Sequence, residues 1–89
     1  MKKRFIDVIG NPSRLRILLA LWKSNKELTV YKICQRTGLG RSAVARHLNN
    51  LVAPGLVSRV ILGEIPLYAI NKCDSKAKGI IEFFAKVRL

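Results

Sequence analysis

Apolar residues recur along the chain at helical spacing in separate stretches, with turn-forming residues between them. Phe5, Ile6 and Ile9 would share one side of a short helix over Met1 to Ile9, which Gly10 and Asn11 break. Asn11-Pro12 reads as a helix start, with Asn accepting from a first-turn N–H and Pro at a position that needs no donor. Leu15, Leu18, Leu19 and Trp22 mark the inward stripe of that helix, and Ser24 and Asn25 end it. Glu27 to Thr29 suit a very short strand. Thr29 can cap a helix that turns Val30, Ile33 and Cys34 inward and stops at Thr37-Gly38, where glycine supplies the left-handed cap. Leu39 and Gly40 make a tight turn. A new helix from Arg41 carries Val44, Leu48 and Leu51 on one face and ends at Pro54-Gly55.

Two extended runs follow, Leu56 to Ile61 and Pro66 to Ile70, joined by Leu62-Gly63-Glu64-Ile65 as a hairpin connection. Pro66 cannot donate a ladder hydrogen bond, so it belongs at the start of an edge strand. Asp74 or Ser75 caps a terminal helix over residues 75–88, with Ile80, Ile81, Phe83, Phe84 and Val87 as its apolar positions. The predicted fold class is mainly α with a small β-hairpin: a winged helix-turn-helix with an extra C-terminal helix, in one domain over residues 1–89.

Charge changes the picture most. Lys and Arg number 17 against 5 Asp and Glu, a formal +12 in 89 residues, spread from Lys2 to Arg88. An even spread describes a basic domain rather than a basic tail, and its usual partners are nucleic acid or an anionic membrane surface. Self-repulsion at this charge opposes a merely solubilising role, which favours nucleic acid. The apolar runs are too short or too interrupted to span a bilayer. No apolar stretch follows Lys2, Lys3 and Arg4 before Asp7, Asn11 and Pro12, so a signal peptide is not expected and the chain reads as cytoplasmic. With 5 acidic residues, 1 His and no Gly-rich phosphate loop, no catalytic set is expected. Neither is a cofactor or an identifiable small-molecule effector.

The segment Thr29 to Leu51 is a helix, a glycine-containing turn and a second helix. On the second helix Arg41, Ser42, Ala45, Arg46 and Asn49 fall on the polar side. These are the candidate base-reading residues of a helix laid in the major groove of double-stranded DNA. Arg41 and Arg46 suit guanine, Ala45 can touch a thymine methyl, and Asn49 could read adenine or hold a phosphate. Lys32, Arg36, His47 and Arg59 are the candidate phosphate contacts. His47, the lone histidine, is either packed or on a phosphate, and Lys32 and Arg36 are phosphate neutralisers or merely solvated. Arg14 and Arg16 could be either as well. Cys34 and Cys73 are candidates for a redox role, with two reduced thiols as the simpler reading. One His and no Cys-x-x-Cys pair leave too few ligands for zinc.

Ile9-Gly10-Asn11-Pro12-Ser13-Arg14-Leu15-Arg16-Ile17-Leu18 resembles the opening of the ArsR-type winged-helix repressors. Gly38 to Leu48 resembles their recognition element, and Gly55-Leu56-Val57 with Tyr68 matches the start and return strand of their wing. The resemblance spans roughly Ile9 to Ile70. It implies a homodimer paired through its terminal helices, here Phe5 with Ile80, Ile81, Phe83, Phe84 and Val87. It also implies a partly palindromic operator and, in many members, repression.

Several positions depart from that pattern. The metal-sensing Cys-x-Cys is replaced around Thr29 and Tyr31, and the terminal helix has Glu82 but no His, so metal sensing is not expected. Ala43 and Ala45 stand where the family often has hydroxyls. The wing has Arg59 as its one basic residue beside Val60, Ile61, Leu62, Glu64 and Ile65. Those apolar residues either complete the hairpin core or form a contact surface. The functional alternatives are a sequence-neutral architectural DNA-binding protein and a protein-interaction module.

Overall fold

The computed structural model describes residues 10–24 and 26–87. The proposed helix over Met1 to Ile9 lies outside them, as do Asn25, Arg88 and Leu89. Among the described residues four helices and one hairpin follow in the expected order: α1 (Pro12–Lys23), α2 (Val30–Thr37), α3 (Arg41–Val52), β1 (Val57–Leu62), β2 (Ile65–Ile70) and α4 (Ser75–Val87).

The caps account for the helix boundaries. Asn11 Oδ1 accepts from the Arg14 N–H at 3.1 Å, with Pro12 at the first helical position. Thr29 Oγ1 accepts from the Lys32 N–H at 3.2 Å. Gly38 ends α2 at φ 75°, and its N–H donates to the Cys34 carbonyl at 2.9 Å. Asp74 Oδ1 accepts from the N–H groups of Lys76 and Ala77 at 2.9 and 3.1 Å, which makes Asp74 the cap of α4.

The hairpin is tighter than the sequence predicts. The strands run to Leu62 and from Ile65, which face each other across a two-residue turn of Gly63 and Glu64. Gly63 sits at φ 65°, and a positive φ is what lets so short a loop match the twist of its strands. The short strand over Glu27 to Thr29 narrows to one bridge. Leu28 exchanges two backbone hydrogen bonds with Tyr68, of 2.8 and 2.9 Å, and so pins the α1–α2 connection to β2.

One core joins all elements. Ile17, Leu18 and Leu21 of α1 pack with Ile33 of α2, with Val44, Leu48 and Leu51 of α3, and with Leu56, Val57, Tyr68 and Ile70 at the base of the hairpin. The buried stripe of α1 runs Arg14, Ile17, Leu18, Leu21. Leu15, Leu19 and Trp22 border it rather than centre it. Helix α4 closes the open side with Ala77, Ile80 and Phe84, and the Phe84 ring lies 5.5 Å from Trp22. Aromatic pairs of this kind add about 0.5–1.5 kcal/mol beyond area burial.

Candidate nucleic-acid interface

Helix α3 is placed by its apolar face. Val44, Leu48 and Leu51 are fully buried, spaced four and three residues apart, so the opposite face must point outward. Arg41, Ser42, Ala45, Arg46 and Asn49 are all exposed there. Gly40 precedes the helix as its N-cap, with no side chain to cap it and open space where a Cβ would stand.

Lys32 and Arg36 are exposed on α2. Together with Lys23 and Lys26 they line one groove beside the α1–α2 connection, and Arg36 and Lys23 continue into a second groove with Arg16. The candidate phosphate residues of α2 thus belong to a wider basic face that includes the end of α1.

His47 departs from the expected phosphate set. It is 7% exposed, and its Nδ1 accepts a 3.2 Å hydrogen bond from Nε of Arg14, itself 6% exposed. A guanidinium can only donate, so Nδ1 is the acceptor of this pair. The side chain is buried and turned toward α1, a setting that departs from the exposed one a phosphate contact needs. Arg14 is buried rather than solvated. The clue lay in its spacing: Arg14 is three residues before Ile17, on the stripe that α1 buries.

The wing carries a link that its sequence did not reveal. Arg59 is exposed on β1, and its Nη1 donates to Asn49 Oδ1 at 3.2 Å. Because β1 follows α3 after a short turn, the strand rises beside the last turns of that helix. Beyond Arg59 the tip is apolar and open: Val60, Ile61, Leu62 and Ile65 are each more than half exposed. They do not complete a hairpin core, which ends at Val57, Tyr68 and Ile70.

The candidate dimer residues divide. Ile80 and Phe84 are buried in the chain's own core at 4% and 1% exposure, so they are corrected to internal residues. Ile81 is half-buried, while Phe83 and Val87 stay exposed. Phe5 lies outside the described residues. Cys34 is half-buried against the core, Cys73 is exposed before α4, and both are free thiols. At the start of α2 the Tyr31 hydroxyl accepts from Gln35 Nε2 at 3.0 Å. Among the described residues no three His, Cys, Asp or Glu side chains gather to hold a metal ion, and no helix is long and apolar enough to cross a membrane.

A helix-turn-helix whose second helix is exposed, followed by a hairpin and a closing helix, defines a winged helix-turn-helix, an architecture used to present a helix to the DNA major groove. The chain belongs to the family described as bacterial regulatory protein, arsR family, whose model matches residues 11–59. Over 54 residues it is 41% identical to the nodulation protein NolR of Rhizobium meliloti, a stretch covering 61% of this chain and 43% of that protein, so it matches less than half of NolR's length. The fold is similar to the crystal structure of the transcriptional repressor PagR of Bacillus anthracis, with a TM-score of 0.74 at 31% identity, covering 90% of this chain and 87% of that one. It is also similar to the homodimeric winged helix-turn-helix DNA-binding domain of Mb0332 from Mycobacterium bovis, with a TM-score of 0.71 at 26% identity over 94% and 71% of the two chains.

Proposed function

We propose that this chain is a dimeric, sequence-specific DNA-binding transcriptional repressor that reads the major groove with α3. The observation that carries the reading is the division of α3 into a buried face and an exposed one that holds Arg41, Ser42, Ala45, Arg46 and Asn49. A +12 chain supplies the field that brings such a face to DNA. Lys32 and Arg36 contact phosphates beside it, and Phe83, Val87 and the edge of Ile81 pair the two copies. The family and the relatives, two named as a repressor and as a homodimeric DNA-binding domain, support this reading. The protein acts where the chromosome is, in the cytoplasm.

Selection of bound duplexes from a random pool tests it. One enriched, partly palindromic motif with half-sites about 10–10.5 base pairs apart, or a multiple, is the expected result. Uniform protection of all sequences would make the protein architectural, and no binding to any duplex at physiological salt would overturn the DNA reading. The exposed apolar wing tip favours one second reading, a protein contact made by Val60, Ile61, Leu62 and Ile65. In that case substitutions at the tip would leave DNA binding intact and abolish capture of a defined partner.

A further inference from the structure

We infer that Arg59 is not a phosphate contact but a positioning residue, which fixes the side-chain amide of Asn49 so that α3 selects guanine over adenine at one operator base. The inference rests on the major-groove reading of α3 proposed above and names the specificity of one part of it.

The chemistry follows from which atoms can meet. An arginine side chain has donors and no acceptor. The Asn49 atom 3.2 Å from Arg59 Nη1 is therefore the carbonyl oxygen, whichever way the amide would turn in isolation. Holding Oδ1 against the wing directs Nδ2, with its two N–H donors, away from it. Asn49 is exposed, so those donors are available to a base edge. The usual pairing of asparagine with adenine is a fork in which the oxygen accepts from N6 and the nitrogen donates to N7. An amide anchored through its oxygen does not present that fork. With one lone pair of the oxygen engaged and the oxygen turned to the wing, the group best placed to face a base is the NH2, and guanine's N7 and O6 are the two adjacent acceptors of the major groove. The same bond commits Nη1 of the one basic residue in the wing to α3 and sets the direction of its guanidinium.

The rest of the hairpin favours this assignment. Arg59 stands opposite Tyr68, and Tyr68 is buried and tied through two backbone hydrogen bonds to Leu28. The strand that carries Arg59 is thus anchored at the point where it reaches α3. The bond spans two elements rather than two turns of one helix, so it ties the angle of the wing to the orientation of the reading amide.

The test is selection of bound duplexes from a random pool with the wild type, Asn49→Ala, Arg59→Met and Arg59→Lys, with binding of the selected duplex measured against salt. Asn49→Ala identifies the base position that residue 49 reads. At that position the wild type is expected to enrich guanine over adenine by about fivefold or more. Arg59→Met keeps the stem and removes the donors. It should lose that preference and admit adenine, change no other position, and have no further effect when combined with Asn49→Ala. Arg59→Lys keeps a donor and should restore part of the preference. The inference is overturned if the wild type prefers adenine there, or if Asn49→Ala alters no base position. It is also overturned if Arg59→Met weakens all sequences alike while the salt slope falls by about 0.9, the mark of one lost phosphate contact. If the wild type enriches no motif at all, the base-reading function fails first and the role of Arg59 falls with it. Thermal melting separates these outcomes from misfolding, since Arg59 is exposed and its removal should leave the transition in place.

Discussion

Two glycines flank the turn before α3, and substitutions at them should act in opposite directions. Gly38 sits at φ 75°, where a side chain costs about 1–2 kcal/mol for the left-handed backbone. A Cβ there would meet nothing within 4 Å, so no steric clash adds to that figure. Alanine also restricts the unfolded chain, which offsets about 0.4–1 kcal/mol. The net loss for Gly38→Ala is then about 1 kcal/mol. In a domain of this size it corresponds to a Tm about 4–8 °C lower. Gly40 has an ordinary φ of −74°, caps α3 with no side-chain hydrogen bond, and also faces open space. Gly40→Ser restricts the unfolded chain without strain and supplies an acceptor for a first-turn N–H. It should raise Tm by a similar amount. Thermal melting by circular dichroism measures both, and Gly38→Asn serves as a control because asparagine tolerates the left-handed region. The reasoning is refuted if both substitutions move Tm in the same direction. It also fails if Gly38→Asn is as damaging as Gly38→Ala, since the loss would then come from crowding rather than backbone conformation.

Three further outcomes are expected. Arg46→Ala should relax base preference at one operator position, by about 1–3 kcal/mol if the contact is bidentate, whereas Lys32→Ala should weaken all sequences alike and lower the salt slope by about 0.9; titrations at several salt concentrations distinguish them. Phe83→Asp with Val87→Asp should convert the dimer to monomer in sedimentation without a large fall in monomer stability, because both side chains are exposed; an unchanged sedimentation coefficient would remove α4 from the dimer interface. Burial raises the Asp74 carboxyl, but hydrogen bonds from the Ala77 amide and the Lys76 side chain, with the Lys76 charge, outweigh it and hold the group below its ordinary 3.8. That stabilisation is full above pH 3.8 and disappears as pH falls through the lowered value, so melts of wild type and Asp74→Asn should differ at pH 7 and converge in strong acid.

Periodicity made the helix order and boundaries readable, because the turn chemistry is local. Asn11, Thr29, Gly38 and Asp74 each act on backbone groups two to four residues away. The same holds for the two faces of α3, where Val44, Leu48 and Leu51 determine what is left outside. What could not be read is what depends on neighbours distant in sequence. Arg14 is polar by composition and buried by position, and its partner His47 lies 33 residues away. Ile80 and Phe84 look like dimer residues on a helical wheel. Only the packing of α4 against Trp22 and the rest of the core shows that the chain itself covers them.

The wing shows the same limit with a functional consequence. Its sequence places one arginine at the base of an apolar loop, which suggests a weak grip on DNA and nothing more. The register places Arg59 opposite Tyr68 and beside Asn49, and that position matters more than its charge. On the proposed reading, a wing engaged with α3 contributes to selectivity rather than to general affinity. On the same reading the general affinity comes from the basic face of α1 and α2, where Arg16, Lys23, Lys26, Lys32 and Arg36 line adjoining grooves. The two functions are therefore separable by mutation: charge removal on that face should change the salt slope at constant base preference, and removal of the Arg59 donors should change base preference at constant slope.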